Sequence, residues 1–108
     1  MSTIHRTVEA LADFDEIWDE IAKDNLSAAD RVIDRIKECC DLLESQPRMG
    51  QTCFGIAEDL PDDLRHFTAL PYPYVIFYRA TNEGIIVYRV LHGHRDIPEV
   101  FRRQFPAE

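Results

Sequence analysis

Apolar residues recur every three or four positions in two early segments of the chain, the spacing of helices with one buried face. The first stripe comprises Val8, Leu11, Phe14, Ile17, Trp18 and Ile21. The second stripe comprises Ala29, Val32, Ile33, Ile36, Cys40 and Leu43. We therefore expect two one-sided helices that form a hairpin, with the acids of the first helix, Asp13 among them, mostly on its solvent side.

Residues that favour helix ends bracket both segments. Thr7 is suited to cap the first helix, and Glu9 then lies in the first turn, where the helix dipole favours an anion. Ser27 is expected to cap the second helix. That helix should end near Ser45, because Pro47 disfavours helical backbone just before it.

The second half of the chain contains apolar runs of strand length. We expect strands at Leu64–Leu70, Tyr74–Ala80 and Ile85–His92, a turn over Thr81–Gly84, and an edge strand within Ser2–Arg6. The two longest strands would form a hairpin around the turn.

These elements predict one α+β domain over residues 1–108. Its order is β-α-α-β-β-β, with a helical hairpin packed on one face of a small, mostly antiparallel sheet. The stretch 47–63 is interpreted as a loop, and 97–105 can add a short C-terminal helix.

Strict alternation along the last strand assigns its side chains to two faces. One face would carry Ile85, Val87, Arg89 and Leu91, and the other Ile86, Tyr88, Val90 and His92. Arg79 and Arg89 thus lie within apolar strands, where an arginine needs an acidic partner or a path to solvent.

Charge is unevenly distributed over the 108 residues, whose net charge is −8. From Glu9 to Glu44 there are twelve acids and four bases, whereas Arg65 to Arg95 contains four arginines and one acid. The overall acidity argues against direct nucleic-acid binding, which relies on many phosphate contacts. No run is long enough to span a membrane and the N-terminus lacks a secretory apolar region, so a cytoplasmic protein is expected.

The basic second half suggests a site that could face a target. Its candidate residues are Arg65, Arg79, Arg89, His92 and Arg95. Converging arginines could bind phosphate or stabilise the transition state of RNA cleavage. The alternative is structural, with the arginines holding one of the acids Asp59, Asp62, Asp63 or Asp96.

Cysteine and histidine patterns predict neither a metal nor a cofactor. Cys39, Cys40 and Cys53 form no pair with metal-binding or redox spacing, and Cys40 is expected to fill core space. His92 and His94, even with His66, lack further ligands at a typical spacing.

Three segments in order resemble the RelE/ParE toxin superfamily. They are ALADFDEIWDEIAKDN at 10–25, AADRVIDRI at 28–36 continuing to LLESQPRMG at 42–50, and LRHF at 64–67 followed by YVIFYRATNEGIIVYRVLHGHRDIPEVF at 74–101. The last segment is the most specific, since IFYR and RVLHGHRD look like the ParE branch. The resemblance spans nearly the whole chain.

The resemblance implies the toxin of a type II toxin–antitoxin pair, neutralised in a tight complex with its antitoxin. ParE-like toxins are associated with inhibition of DNA gyrase by binding, and RelE-like toxins with mRNA cleavage on the ribosome. The RelE branch often uses lysines, whereas the only lysines here are Lys23 and Lys37. The ParE interpretation is favoured; a RelE-type endoribonuclease and a non-toxic antitoxin-binding module remain alternatives.

An antitoxin would need an apolar surface. If the sheet face opposite the hairpin is open, an exposed patch can bind a partner segment. Its expected members come from Tyr72, Tyr74, Ile76, Phe77, Tyr88 and Val90. The segment 97–105 is a further candidate for target contact, by resemblance alone.

Overall fold

The structure, a computed structural model, describes residues 3–53, 60–93 and 97–104. The helices are α1 (Val8–Ala22), α2 (Leu26–Ser45) and α3 (Ile97–Gln104), with a 3-10 turn at Pro47–Met49. The strands are β1 (Thr3–Arg6), β2 (Gln51–Thr52), β3 (Arg65–Thr68), β4 (Tyr74–Ala80) and β5 (Gly84–His92). The expected α+β order is confirmed, with the terminal helix present and one short strand, β2, added inside the stretch interpreted as a loop.

The five strands form one sheet in the order β1-β5-β4-β3-β2. Neighbours from β2 to β5 pair antiparallel, whereas β1 pairs parallel with β5, with Thr3 opposite Gly84 and Arg6 opposite Val87. The expectation of a mostly antiparallel sheet with an N-terminal edge strand is confirmed. Because β1 ends at Arg6, the last five residues of β5 extend beyond it along that edge.

A bulge in β5 overturns the predicted faces of its last residues. Phe77 is opposite Arg89 but Tyr78 is opposite Val87, so Tyr88 is an extra residue in the ladder. After the bulge, Val90 joins the core cluster of Ile85 and Val87. An extra residue reverses the alternation that follows it.

The buried face of α1 is rotated relative to the prediction. Val8 and Leu11 are 79% and 52% exposed. Phe14 and Ile17 are buried as predicted, and Ala10 and Asp13 are buried in addition. The expected solvent position of Asp13 is therefore wrong, and the cause is a partner on β5 that local periodicity does not show.

Side chains cap both helices of the hairpin. Thr7 Oγ1 accepts from the backbone N–H of Ala10 at 3.0 Å, as predicted. Asn25, rather than Ser27, caps α2, with its Oδ1 accepting from the N–H of Ala28 at 3.0 Å. Asn and Ser are equally favourable N-cap residues. With Asn25 as the cap, α2 begins at the next residue, Leu26.

Both faces of the sheet are covered. The hairpin covers one face through a cluster that includes Ile36, Leu43, Ile76 and Tyr78. On the other face, Phe101 of α3 lies edge-on against Phe77 at 4.9 Å between ring centroids. Further members of this second cluster are Cys53, Leu60, Leu64 and Leu91. No helix in the described ranges is long and apolar enough to cross a membrane.

Candidate functional site

Asp13 on α1 and Arg89 on β5 form a two-pronged ion pair. Arg89 Nε donates to Asp13 Oδ2 at 2.8 Å, and Nη2 donates to Oδ1 at 2.9 Å. The backbone N–H of Val90 also donates to Oδ2 at 3.0 Å. The Asp13 side chain is only 4% exposed and that of Arg89 15%. The charge of Arg89 is thus matched inside the protein.

The hydrogen bond between Arg89 and Asp13 also affects the ionisation of Arg89. It raises the pKa of the Arg89 guanidinium and outweighs burial, which lowers it. Arg89 therefore stays charged. It needs the carboxylate of Asp13 as its partner, because an unpaired buried charge lowers the stability of the fold. This geometry supports a structural role for Arg89, with Asp13 as its partner rather than one of the four acids named from the sequence.

Arg79 and Arg65 have other partners. Arg79 Nη2 lies 2.7 Å from Asp63 Oδ2 in a more open pair, with side chains 34% and 58% exposed. The hydrogen bond with Asp63 raises the pKa of Arg79. Arg65 Nη1 donates to the carbonyl of Gly50 at 2.7 Å. These three arginines therefore have three different primary partners, and Arg95 lies outside the described residues.

A buried tyrosine ties the sheet to the turn that follows α2. Tyr78 is fully buried, its hydroxyl donates to the carbonyl of Pro47 at 2.6 Å, and it accepts from the N–H of Gly50 at 2.9 Å. Burial, the largest effect, raises the pKa of Tyr78. Since Arg65 bonds the carbonyl of the same Gly50, Arg65 and Tyr78 together hold this turn in place.

Three of the six apolar positions expected at the surface are buried within the chain. Ile76, Phe77 and Val90 are each at most 1% exposed. The hairpin covers Ile76 and Val90, and α3 packs over Phe77, so an exposed patch made from them is wrong for this structure. Tyr72, Tyr74 and Tyr88 are partly buried. Antitoxin contact by any of the six stays a prediction.

His92 lies at the end of β5 beside Tyr74. Their rings meet edge to face at 5.6 Å between centroids. Both residues line a groove of 230 Å³ between α1 and the sheet. Buried Ile17 and Val90 contribute apolar surface to the groove.

The acidic side of this groove comes from α1. Glu16 and Glu20 line it and are exposed, and Asp13 lines it where it meets Arg89. Sequence reasoning placed these acids only on a solvated helix face. The available signal was their spacing of three and four residues, which puts all three on one side of a helix.

The cysteines are free and buried. Burial raises the pKa of Cys40 and of Cys53 to about 11, which keeps both thiols protonated and unreactive near neutral pH. Cys40 fills core space as predicted, and no group of three potential metal ligands occurs among the described residues.

Some apolar side chains remain exposed on the helices and on the turn after α2. Val8 and Leu11 are exposed on α1, and Leu42 and Met49 are 42% and 37% exposed near the end of α2. Val8 and Leu11 were expected on the buried stripe of α1, and their exposure shows that this part of the prediction is wrong.

The architecture is that of an α+β protein with a helical hairpin on a small sheet. It is similar to the solved structure "Chromosomal ParDE TA system from P. aeruginosa", with a TM-score of 0.68 over 85% of this chain and 96% of that chain. Sequence identity in that comparison is 21%, so the likeness is one of fold.

Sequence comparison defines the family more closely. The family model described as "ParE toxin of type II toxin-antitoxin system, parDE" matches residues 4–97. A protein of Sinorhizobium fredii described as "Putative toxin Y4kP" is 33% identical over 97 residues, covering 90% of this chain and 94% of the relative. The chain belongs to the ParE family of type II toxin–antitoxin toxins, as the resemblance of its last segment predicted.

Proposed function

We propose that this chain inhibits DNA gyrase by binding it and that a cognate antitoxin neutralises it in a tight complex. The observation that carries the proposal is the match of residues 4–97 to the ParE toxin family. Gyrase and the antitoxin would both be met in the cytoplasm, so the proposal includes a cytoplasmic location.

The pairing of the arginines favours binding over RNA cleavage. Cleavage needs cations aimed at charge that develops in the transition state. Arg89 is already neutralised by Asp13, and Arg79 is paired with Asp63. Lys23 directly follows α1 and Lys37 lies within α2, so neither lysine is on the sheet. A binding inhibitor requires no such catalytic set.

Exposed apolar side chains support a protein partner. Val8 is 79% exposed and Leu11 52% on the same helix, one turn apart. Such positions gain free energy when a partner removes them from water, at roughly 25 cal/mol per Å² of apolar area. We expect the chain to be less soluble alone than in complex with its antitoxin.

The decisive experiment combines purified gyrase with the purified chain. We expect supercoiling to be inhibited and cleaved DNA to accumulate covalently on gyrase, and addition of the antitoxin to prevent both effects. Induction in a susceptible host should activate the SOS response. Site-specific mRNA cuts on ribosomes, without gyrase–DNA complexes, would overturn the gyrase proposal, and a folded chain with no growth defect would favour the non-toxic module.

A matched pair of variants can locate the gyrase contact. Arg102 and Arg103 on α3 have side chains 61% and 83% exposed, and the family resemblance makes this helix a candidate for target contact. We expect Arg102→Ala with Arg103→Ala to weaken gyrase inhibition. The control, Arg31→Ala with Lys37→Ala, removes the same charge from exposed positions on α2 and should leave inhibition unchanged.

A further inference from the structure

The groove between α1 and the sheet combines an apolar interior with an acidic edge. Ile17 and Val90 supply buried apolar surface, Tyr74 an aromatic ring, and Glu16 and Glu20 exposed carboxylates. Its volume of 230 Å³ suits a single long side chain rather than a whole helix.

Basic neighbours match the negative charge of the groove only in part, and His92 also lines it. Asp13 also lines it, but its carboxylate is held by Arg89. Glu20 has an exposed partner in Lys23 at 3.2 Å. Glu16 and Glu20 are four residues apart on α1, where like charges repel each other. A cation placed between them would relieve that repulsion.

The field of Glu20 reaches into the groove. Burial, and secondarily the charge of Glu20, raise the pKa of the Tyr74 hydroxyl. The same negative potential that disfavours a tyrosinate at this position favours a positive group. An uncharged aliphatic ligand would displace water from the carboxylates of Glu16 and Glu20 without forming hydrogen bonds with them, which is unfavourable.

We propose that this groove receives an arginine side chain from the antitoxin. The aliphatic stem of arginine covers apolar surface, and its planar guanidinium can stack on Tyr74 and bond two carboxylates in a fork. Lysine offers a strongly hydrated point charge and matches this combination less well. The inference rests on the proposed neutralisation by an antitoxin and identifies the chemistry of one of its contacts.

The test compares two charge-matched variants of the full chain. Glu16→Gln with Glu20→Gln removes the two exposed carboxylates of the groove, and Asp15→Asn with Asp19→Asn removes two exposed charges elsewhere on α1. The probe is the purified antitoxin of the proposed complex, and its affinity for each variant is measured by calorimetry at two salt concentrations. Thermal melting confirms that both variants fold.

We expect the groove variant to bind at least about tenfold more weakly and with a smaller salt dependence, and the control to stay within about threefold. If the wild type binds and the groove variant matches the control, the groove inference is overturned while the proposed function stands. If the folded wild type does not bind at all, the proposed neutralisation by that protein fails first.

An arginine scan of the partner makes the test specific. One arginine, changed to alanine, should weaken binding to the wild-type chain about tenfold but binding to the groove variant less than about threefold, because coupled contacts are not additive. Coupling to a lysine alone, or to no cationic residue, would overturn the assignment of arginine.

Discussion

Asp13 and Arg89, separated by 76 residues of sequence, bond through both carboxylate oxygens and two guanidinium nitrogens. The pair joins α1 to β5 beyond the end of β1, where the edge of β5 that faces away from β4 no longer pairs with β1. Asp13 also accepts from the N–H of Val90, so a side chain takes the place of a strand partner there. One carboxylate therefore holds both an arginine and the edge of the sheet.

Arg89→Ala should destabilise the fold by about 3–5 kcal/mol, because it leaves the charge of Asp13 buried and unpaired. The free energy of unfolding in urea measures this loss. Arg79→Ala breaks the more exposed pair with Asp63 and should cost no more than about 1 kcal/mol.

The same two variants test the target-facing hypothesis. Arg89 acts on a target if the Arg89→Ala variant has the same free energy of unfolding as the Arg79→Ala variant but has lost toxicity. A stability loss confined to Arg89→Ala would instead establish its structural role.

Gly84→Ala should detach β1 from the sheet. Gly84 has φ +155°, and a Cβ atom there would lie 1.9 Å from the carbonyl oxygen of Thr3. We expect a loss of more than about 1 kcal/mol, seen as a lower melting temperature. Gly93→Ala is the control, since its Cβ would meet no atom closer than 3.6 Å. Equal melting temperatures for the two variants would contradict the close pairing of Thr3 with Gly84.

Tyr78→Phe removes one hydroxyl and two hydrogen bonds in the core. The N–H of Gly50 loses its acceptor and the carbonyl of Pro47 loses its donor. An unsatisfied buried group costs about 1–3 kcal/mol, so we expect a loss in that range by urea unfolding. Amide exchange at Gly50 should accelerate, and unchanged exchange would show that the bond does not persist in solution.

His66 should make stability depend on pH. Burial lowers its pKa below the ordinary value of 6.5 in the folded state. Between the pKa of His66 in the folded state and 6.5, the unfolded chain binds more protons than the folded chain does. The free energy of unfolding therefore rises with pH across this range and decreases as the pH falls below about 6.5.

A variant comparison isolates this contribution. Unfolding free energies from pH 5 to 7.5 should show a shallower slope for His66→Gln than for the wild type. His5→Gln changes an exposed histidine on β1 and serves as the control. A wild-type slope that survives His66→Gln would assign the dependence to other groups.

Periodicity was enough to predict the order of the main elements, because each helix of the hairpin buries one face and the long strands are apolar runs bounded by turn residues. The cap at Thr7 and the end of α2 at Ser45 were also predictable from local chemistry. Local sequence could not decide between Asn25 and Ser27 as the N-cap of α2, since Asn and Ser are both favourable N-cap residues.

The candidate site was less predictable, because it depends on contacts far apart in sequence. The burial of Asp13 requires Arg89, and the face of Val90 depends on an extra residue, Tyr88, in the ladder. Neither feature can be recognised from the periodicity of apolar residues along the sequence. The coverage of Phe77 by α3 likewise depends on where the terminal helix packs, which the amphipathic pattern does not specify.

The parallel pairing of β1 with β5 has a consequence for how the protein is made. Thr3 is synthesised near the start of the chain, but its partner Gly84 follows some eighty residues later. Pairings of such long range form slowly, and they cannot form on the ribosome until β5 has emerged. A nascent chain therefore lacks this edge of its sheet until β5 has been made, and any harm that the folded protein causes is deferred until then.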